Sequence, residues 1–222
     1  MSVDLRVYVI TTALPRLGRD HLAIAEAAVR GGASVLQFRD KTMNDAEFTA
    51  AATSVLHIAR QGGVPLIVND RVEIAVAIGA AGVHVGRDDA RARDMRRYLP
   101  AGMMIGASAT SYDEAVAAAN DGADYLGVGP IFPTGSKADA TPPIGPDELA
   151  RICRAVKLPV VAIGGITQKN LRQVIEAGAQ GAAVIAAVAE APDMVEATAE
   201  LRGIWDSLSA PHAVPGKKIG AR

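Results

Sequence analysis

Short apolar runs recur along the chain and alternate with longer stretches of helical spacing. Each run has three or four mostly apolar residues, which is typical of strands that are buried on both faces of a parallel sheet. The predicted strands are residues 7–10, 35–38, 66–68, 83–85, 104–106, 125–128, 160–163 and 183–185. The chain is therefore predicted to contain eight strands, with a helix in each gap between them.

Helical spacing and helix ends support this alternation. In the first gap the apolar positions recur at Leu22, Ala25, Ala28 and Val29, on one side of a helix. Gly-Ala pairs stand just before predicted strands, and their glycines suit the left-handed position that follows a helix. These glycines are Gly32, Gly79, Gly122 and Gly178. A last helix is predicted over residues 193–208, with Trp205 on its apolar face.

Eight strand–helix units with nearly continuous apolar strands favour a closed parallel (β/α)8 TIM barrel over an open doubly wound sheet. A chain of 222 residues can form such a barrel as one domain. We expect the barrel to occupy residues 1–209. Residues 210–222 contain Pro, Gly and basic residues without periodicity, and they are predicted to be a mobile tail.

The composition limits the classes of partner that the chain is expected to bind. The net charge of −1 gives no broad electrostatic reason for binding nucleic acid or a membrane surface. A single cysteine, Cys153, excludes an internal disulfide and favours core packing. The N-terminus lacks a signal-peptide pattern and no apolar run is long enough to span a membrane, so a cytoplasmic location is expected. The sequence leaves homo-oligomerisation open.

In a barrel of this kind the catalytic residues follow the strands, at their carboxyl ends. Gln37, Arg39 and Lys41 alternate after the second strand, so their side chains are expected to share a face and bind an anion. The alternative is that the two cations are solvated turn residues neutralised by Asp40. Polar strand ends that face a barrel opening rarely serve packing, and this favours the anion site.

Two aspartates follow neighbouring strands. Asp70 comes after the third predicted strand, beside Asn69, and Asp89 comes just beyond the fourth. Carboxylates without nearby His or Cys favour Mg²⁺. Either residue alone is better explained as the cap of the helix that begins near Val72 or Ala90. Both together, opposite Arg39 and Lys41, favour a metal site.

A second polar region follows strands six to eight. The loop after strand six is long for a compact domain and carries Thr134, Ser136 and Lys137. Gly164-Gly165 after strand seven and the small residues after strand eight match a common phosphate site of barrels. A proline-rich surface crossover and a tight turn are the alternatives. His84 is expected to be a hydrogen-bonded core residue rather than a catalytic one.

With these residues in view, nearly the whole chain closely resembles the thiamine phosphate synthase family. The resemblance rests on QFRDK at 37–41, LIVNDRVEIA at 66–75, GVHVGRDD at 82–89, GAS at 106–108, GADYLGVGPIFPTGSK at 122–137, and VVAIGGIT with GAAVIAAV at 160–167 and 181–188. It implies a transferase that couples 4-amino-5-hydroxymethyl-2-methylpyrimidine diphosphate to 4-methyl-5-(2-phosphoethyl)thiazole. The products are thiamine phosphate and pyrophosphate, and the carbon–oxygen bond breaks before the thiazole nitrogen attacks.

The resemblance also implies a role for each matching residue. The pyrimidine diphosphate would be bound by Gln37, Arg39, Lys41, Asn69, Ser108 and Lys137, of which Arg39, Lys41, Ser108 and Lys137 are the expected catalytic residues. Asp70 and Asp89 would hold Mg²⁺. The thiazole phosphate would be bound by Thr134, Ser136, Gly165, Ile185 and Ala186.

Three positions depart from the family pattern, although none is required by the chemistry. Arg87 stands where Gln is frequent, Thr110 where His is frequent, and Ala186 where Ser is common. The nearest alternative is the related thiazole tautomerase, in which position 110 would be His and the acidic and basic residues would have no purpose. A phosphate-binding barrel without coupling activity is the other alternative.

Overall fold

The computed structural model describes residues 3–86, 92–135 and 141–209. Within them the chain forms a closed barrel of parallel strands, each paired with the next in sequence and the last with the first. The strands are β1 (Val7–Thr11), β2 (Val35–Phe38), β3 (Leu66–Asn69), β4 (Gly82–Val85), β5 (Met104–Ala109), β6 (Tyr125–Val128), β7 (Val160–Ile163) and β8 (Gly181–Val184). The predicted (β/α)8 barrel is confirmed.

Helices cover the outside of this sheet. They are α1 (His21–Arg30), α2 (Asp45–Gln61), α3 (Val72–Ile78), α4 (Ala92–Met95), α5 (Tyr112–Asn120), α6 (Gly145–Ala155), α7 (Leu171–Glu176), α8 (Ala186–Ala189) and α9 (Met194–Ser209). A short 3-10 turn, Pro15–Leu17, lies between β1 and α1. The helix predicted over residues 193–208 is α9, displaced by one residue.

The strands are apolar on both faces because both faces are covered. Side chains that point outward form one large core with the helices, represented by Leu36, Val83 and Leu126. Side chains that point inward form a second, smaller cluster, in which Tyr8 and Tyr125 are the largest members. The barrel interior is therefore packed, and a large open space can form only at its ends.

Five strands differ from their predicted bounds: β1, β3 and β4 by one residue, and β5 and β8 by more. β5 continues to Ala109, so Ser108 lies within the strand rather than after it. β8 ends at Val184, and Ile185 is the residue that precedes α8. Small and apolar residues continue across both boundaries, so the sequence pattern alone does not mark where the hydrogen-bonded pairing stops.

The helix ends follow the local chemistry of the sequence. All four glycines of the Gly-Ala pairs have positive φ, between 69° and 94°, as the left-handed position requires. At the opposite ends, Asp20 caps α1 and Ser111 caps α5. Asn44 and Glu47 form a capping box at the start of α2.

Two further expectations concern the last helix and the single cysteine. Trp205 of α9 is 3% exposed and belongs to the main core, as its position on the apolar face predicts. Cys153 packs against the same core, and burial raises the pKa of its thiol to about 11.

The predicted tail at 210–222 lies outside the described residues. Within the described residues, no helix is long and apolar enough to cross a membrane.

Replacing Trp205 with alanine should destabilise the barrel strongly. Removal of a large buried aromatic side chain costs about 3–5 kcal/mol. Tyr98, which is 80% exposed, provides the matched control, because its replacement should change the free energy of unfolding by less than about 0.5 kcal/mol. Urea unfolding of Trp205→Ala and Tyr98→Ala would measure both. Similar losses in the two variants would contradict the placement of Trp205.

Candidate active site

A cavity of about 510 Å³ opens at the carboxyl-terminal end of the barrel. Its walls come from the segments that follow most of the strands, and they include a cationic side and a glycine-rich side. The cationic side contains Arg39, Lys41, Asn69, Asp70 and Ser108, and the glycine-rich side contains Thr134, Thr141, Gly164, Gly165, Ile185 and Ala186. We call this space the mouth cavity.

Arg39 and Lys41 both line the mouth cavity from the loop between β2 and α2. Among the residues that the structure describes, Arg39 has no ion-pair partner, whereas Lys41 donates to Asp70. Asp40 does not neutralise either cation, because its carboxylate is bonded to His21 and to the loop itself. The arrangement agrees with an anion site and not with a self-neutralised turn.

Gln37 lies deeper than the sequence pattern suggests. It is 3% exposed, belongs to β2 itself and donates its side-chain N–H to the hydroxyl of Tyr8 at 2.8 Å. It lines a second, small cavity of about 30 Å³ inside the barrel, not the mouth cavity. The expectation that Gln37 points to the barrel mouth together with Arg39 and Lys41 is thus corrected, since Gln37 lies within β2 and the two cations follow its end at Phe38.

A chain of hydrogen bonds crosses the barrel interior beneath the mouth cavity. From Gln37 it passes to Tyr8, then to Tyr125 at 2.9 Å between the two hydroxyls, and on to Nδ1 of His84 at 3.1 Å. Nε2 of His84 contacts the hydroxyl of Ser108 at 3.0 Å. Burial raises the pKa of both tyrosines, so they remain neutral. The network fixes the orientation of Ser108, and His84 is a hydrogen-bonded interior residue as predicted.

Asp70 stands in an unusual backbone conformation. Its φ of 61° makes it the one non-glycine residue with positive φ in the described part of the chain. It does not cap α3, whose N-cap is Arg71 without a side-chain cap bond. Its carboxylate instead accepts a hydrogen bond from Nζ of Lys41 at 2.6 Å, on the wall of the mouth cavity. Strain of this kind is often retained at functional sites.

The described residues contain no group of three or more His, Cys, Asp or Glu side chains that could hold a metal ion. The second predicted ligand, Asp89, lies outside the described residues, as do Ser136, Lys137 and Arg87. The described part of the set still fits a hard cation. A strained carboxylate that faces the mouth cavity, beside the amide of Asn69, supplies the oxygen ligands that Mg²⁺ prefers.

The long loop between β6 and α6 is anchored at both ends. Backbone N–H groups of Ile131 and Phe132 donate to the carbonyls of Ile163 and Gly164, at 2.9 and 3.0 Å. At the far end, the N–H of Ile144 donates to the carbonyl of Pro130 at 2.9 Å. These bonds place the first residues of the loop against the turn that follows β7.

Gly164 and Gly165 permit this close approach. Both have positive φ, at 96° and 64°. A Cβ on Gly165 would lie 2.5 Å from the carbonyl oxygen of Pro133. Thr134 therefore lines the same wall as the Gly-Gly turn. On that wall Ala186 begins α8, and the first N–H groups of a helix lack an intrahelical acceptor.

Thr141 is a residue that the sequence analysis did not single out. It lines the mouth cavity, and its hydroxyl is buried without a hydrogen-bond partner in the described structure. Buried polar groups almost always have a partner, so an unpaired hydroxyl on a residue that lines a cavity makes Thr141 a candidate for ligand contact. No motif marks it, because a threonine in a proline-rich loop is ordinary turn chemistry.

Comparison with known proteins assigns the family. A family model described as thiamine monophosphate synthase matches residues 7–188. A Chloroflexus aurantiacus protein named thiamine-phosphate synthase is 48% identical over 202 residues, which cover 91% of this chain and 93% of that protein. The chain belongs to this family.

Other relatives and structures of the thiamine monophosphate synthase family agree. A thiamine-phosphate synthase of Methanoculleus marisnigri is 46% identical over 213 residues, covering 96% of this chain and 99% of that protein. The solved thiamine phosphate pyrophosphorylase of Pyrococcus furiosus is 39% identical and superposes with a TM-score of 0.86, covering 93% of this chain and 98% of that one. The family predicted from the motifs is confirmed.

The structure brings most of the predicted site residues of this family member together. The residues that line the mouth cavity are Arg39, Lys41, Asn69, Asp70, Ser108, Thr134, Gly165, Ile185 and Ala186. Gln37 lies one layer below them. Thr110 also lines the cavity and donates to Glu114 through its hydroxyl. The roles of these residues stay predictions.

Gly165→Ala should lower both stability and activity, and Gly63→Ala separates the two effects. Gly63 has nearly the same φ, 67°, but open space around its Cβ position. Both variants should lose about 1–2 kcal/mol of stability from left-handed strain. Only Gly165→Ala should also displace the loop at Pro133 and weaken substrate binding. Urea unfolding and steady-state kinetics would test this, and equal kinetics in both variants would contradict the assigned packing.

Proposed function

We propose that this chain forms thiamine phosphate from the pyrimidine diphosphate and the thiazole phosphate, by a dissociative displacement within the mouth cavity. Formation of thiamine phosphate is the activity of the family to which the chain belongs. The observation that carries the mechanism is a single cavity with a cationic side and a glycine-rich side. Two anionic substrates that must meet at one carbon atom need such an arrangement.

The cationic side suits the diphosphate. Arg39 supplies a guanidinium without an ion-pair partner among the described residues, and guanidinium groups bind phosphate oxygens in a bidentate manner. Lys41 supplies a second positive charge, and its contact with Asp70 holds it at the cavity wall. From the sequence, Lys137 is proposed to add a third. These charges would stabilise the negative charge that develops on the departing pyrophosphate.

Asp70 and Asp89 are proposed to hold Mg²⁺ beside the diphosphate, with Asn69 close to Asp70. When bound, the ion supplies Lewis-acid stabilisation of the leaving group. Lys41 occupies a carboxylate oxygen of Asp70 in this structure, so the lysine would exchange that contact for a phosphate oxygen when substrate binds. Lys41 would thus pair with a negative group both without substrate, where it contacts Asp70, and with substrate, where it would contact the diphosphate.

The interior layer is proposed to bind the pyrimidine ring. Ser108 is oriented by His84, and Gln37 is held by Tyr8, so both polar groups are fixed before substrate arrives. Fixed donors and acceptors reduce the reorganisation that binding requires. We assign no general base at the reacting carbon among the described residues, and a dissociative route needs none, since the thiazole nitrogen attacks a carbon that has already lost its pyrophosphate.

The glycine-rich side is proposed to bind the thiazole phosphate. Thr134 and Ser136 would donate hydroxyl hydrogen bonds. Gly165, Ile185 and Ala186 would contribute backbone N–H groups, which suit phosphate oxygens and need no side chain. This explains how Ala186 can replace the serine that is common in the family. A cytoplasmic location and any homo-oligomer stay predictions.

The deciding experiment incubates the protein with both substrates and follows pyrophosphate release, with and without Mg²⁺. Release that requires both substrates supports coupling, whereas a tautomerase or a silent phosphate-binding barrel would release none. In the same assay Asp70→Asn should lose on the order of a hundredfold in rate. Asparagine tolerates positive φ, so the variant removes the charge and preserves the backbone.

The control for this experiment is Asp113→Asn, an exposed position in the first turn of α5. It removes the same charge outside the barrel and should leave the rate unchanged. The Mg²⁺ concentration for half-maximal rate should rise in Asp70→Asn alone. Wild-type rate and Mg²⁺ dependence in that variant would rule out the metal-binding role.

Thr141→Val should raise the KM of one of the two substrates about tenfold. A hydrogen bond to a charged group is worth about 1.5–3 kcal/mol, and valine has the same shape without the hydroxyl. Thr141→Ser keeps the hydroxyl and should stay close to wild type. Measuring KM separately for each substrate identifies the one that Thr141 contacts. If Thr141→Val matches wild type for both substrates, Thr141 does not bind either.

A further inference from the structure

A buried histidine that does not line the mouth cavity is bonded to the loop that carries Arg39 and Lys41. His21 is the first residue of α1 and is 2% exposed. Its Nε2 lies 3.1 Å from Oδ2 of Asp40, and its Nδ1 lies 2.9 Å from the hydroxyl of Thr11, at the end of β1. The three residues therefore join the first strand, the first helix and the loop after β2.

Asp40 divides its two oxygens between the helix and the loop. Oδ1 accepts from the N–H of Thr42 at 2.7 Å, from its hydroxyl at 2.8 Å, and from the N–H of Met43 at 2.8 Å. Oδ2 accepts from His21. Burial alone would raise the pKa of Asp40, but the hydrogen bonds from Met43, Thr42 and His21 outweigh it and lower the pKa to about 2. The carboxylate is therefore ionised, and His21 must donate from Nε2.

The position of Asp40 in the chain gives this contact a consequence at the mouth cavity. Asp40 stands between Arg39 and Lys41, which both line the cavity, while its own carboxylate is bonded on the side of α1. The residues after β2 form a turn, in which Oδ1 of Asp40 accepts from the N–H groups of Thr42 and Met43. Fixing Asp40 to α1 therefore restrains the backbone between Arg39 and Lys41, whose side chains line the cavity.

Packing alone does not explain a histidine at this place. The ring of His21 lies 4.6 Å from the ring of Phe38, centre to centre, in the outer core. An apolar side chain would fill the same space without the cost of burying a polar group. The far end of the loop is held separately by Arg71, which donates to the carbonyl of Met43 and to Asp45. His21 thus contacts the part of the loop that contains Arg39 and Lys41.

We propose that His21 is a positioning residue, which holds Asp40 and through it orients Arg39 and Lys41 toward the pyrophosphate group of the substrate. This inference rests on the proposed function, because it assigns the two cations to that group. His21 does not touch substrate. Its effect should be confined to binding of the diphosphate, whereas a residue that only stabilises the fold would affect both substrates alike.

The test compares His21→Leu, which fills the space without a donor, with His21→Gln, which retains an N–H at a similar reach. His21→Leu should raise the KM of the pyrimidine diphosphate and the inhibition constant of pyrophosphate about tenfold each. The KM of the thiazole phosphate should change less than twofold. His21→Gln should restore most of the loss. His57→Leu, on the exposed face of α2, is the control and should match wild type.

The proposal is overturned if His21→Leu raises both KM values equally, if it changes neither, or if His21→Gln is no better than His21→Leu. Should His21→Leu fail to fold, Asp40→Asn provides the second variant, with the same selective loss expected. Arg39→Ala separates this inference from the proposed function. If Arg39→Ala does not weaken pyrophosphate inhibition, the assignment of the cations is wrong. If it does and His21→Leu does not, only the positioning role is wrong.

Discussion

Closure of the parallel barrel is the constraint on which the rest of the structure depends. It puts the carboxyl ends of all eight strands on one rim, so residues far apart in sequence must meet there. Arg39 and Gly165 are more than a hundred positions apart and line one cavity. Because both faces of every strand are covered, the polar side chains that the strands and their carboxyl ends contribute are concentrated at this rim and in the layer directly below it.

The site has two layers that differ in rigidity. Below the rim, a chain of hydrogen bonds runs from the buried Gln37 to Ser108, which lines the mouth cavity, and it fixes polar groups that are at least partly shielded from water. At the rim, Lys41 is 59% exposed and contacts Asp70, a pair that can exchange partners when an anion enters. A substrate with a flat ring and a charged diphosphate suits such a division between a fixed pocket and an adaptable one.

The segments around the rim are oriented by neighbouring elements rather than by their own sequence. The loop after β2 is held through Asp40 by α1 and through Arg71 by the next turn. The loop after β6 is held by backbone bonds to the turn after β7. Each loop of the site is thus fixed by an adjacent unit of the barrel, and this explains how a site built from loops can keep a defined geometry.

The sequence by itself determined the eight strands, the glycine-ended helices, the family and most residues of the rim. Strand burial and helix ends depend on local patterns of apolar residues and glycines, which can be identified in the sequence. Only the tertiary structure decided the depth of Gln37, the unpaired hydroxyl of Thr141, the strained backbone of Asp70 and the contact between His21 and Asp40. These depend on where each strand stops and on which groups meet across the barrel. The periodicity of apolar residues predicts neither the ends of the strands nor the contacts across the barrel. It indicates which face of an element a residue occupies, and not which residue lies opposite.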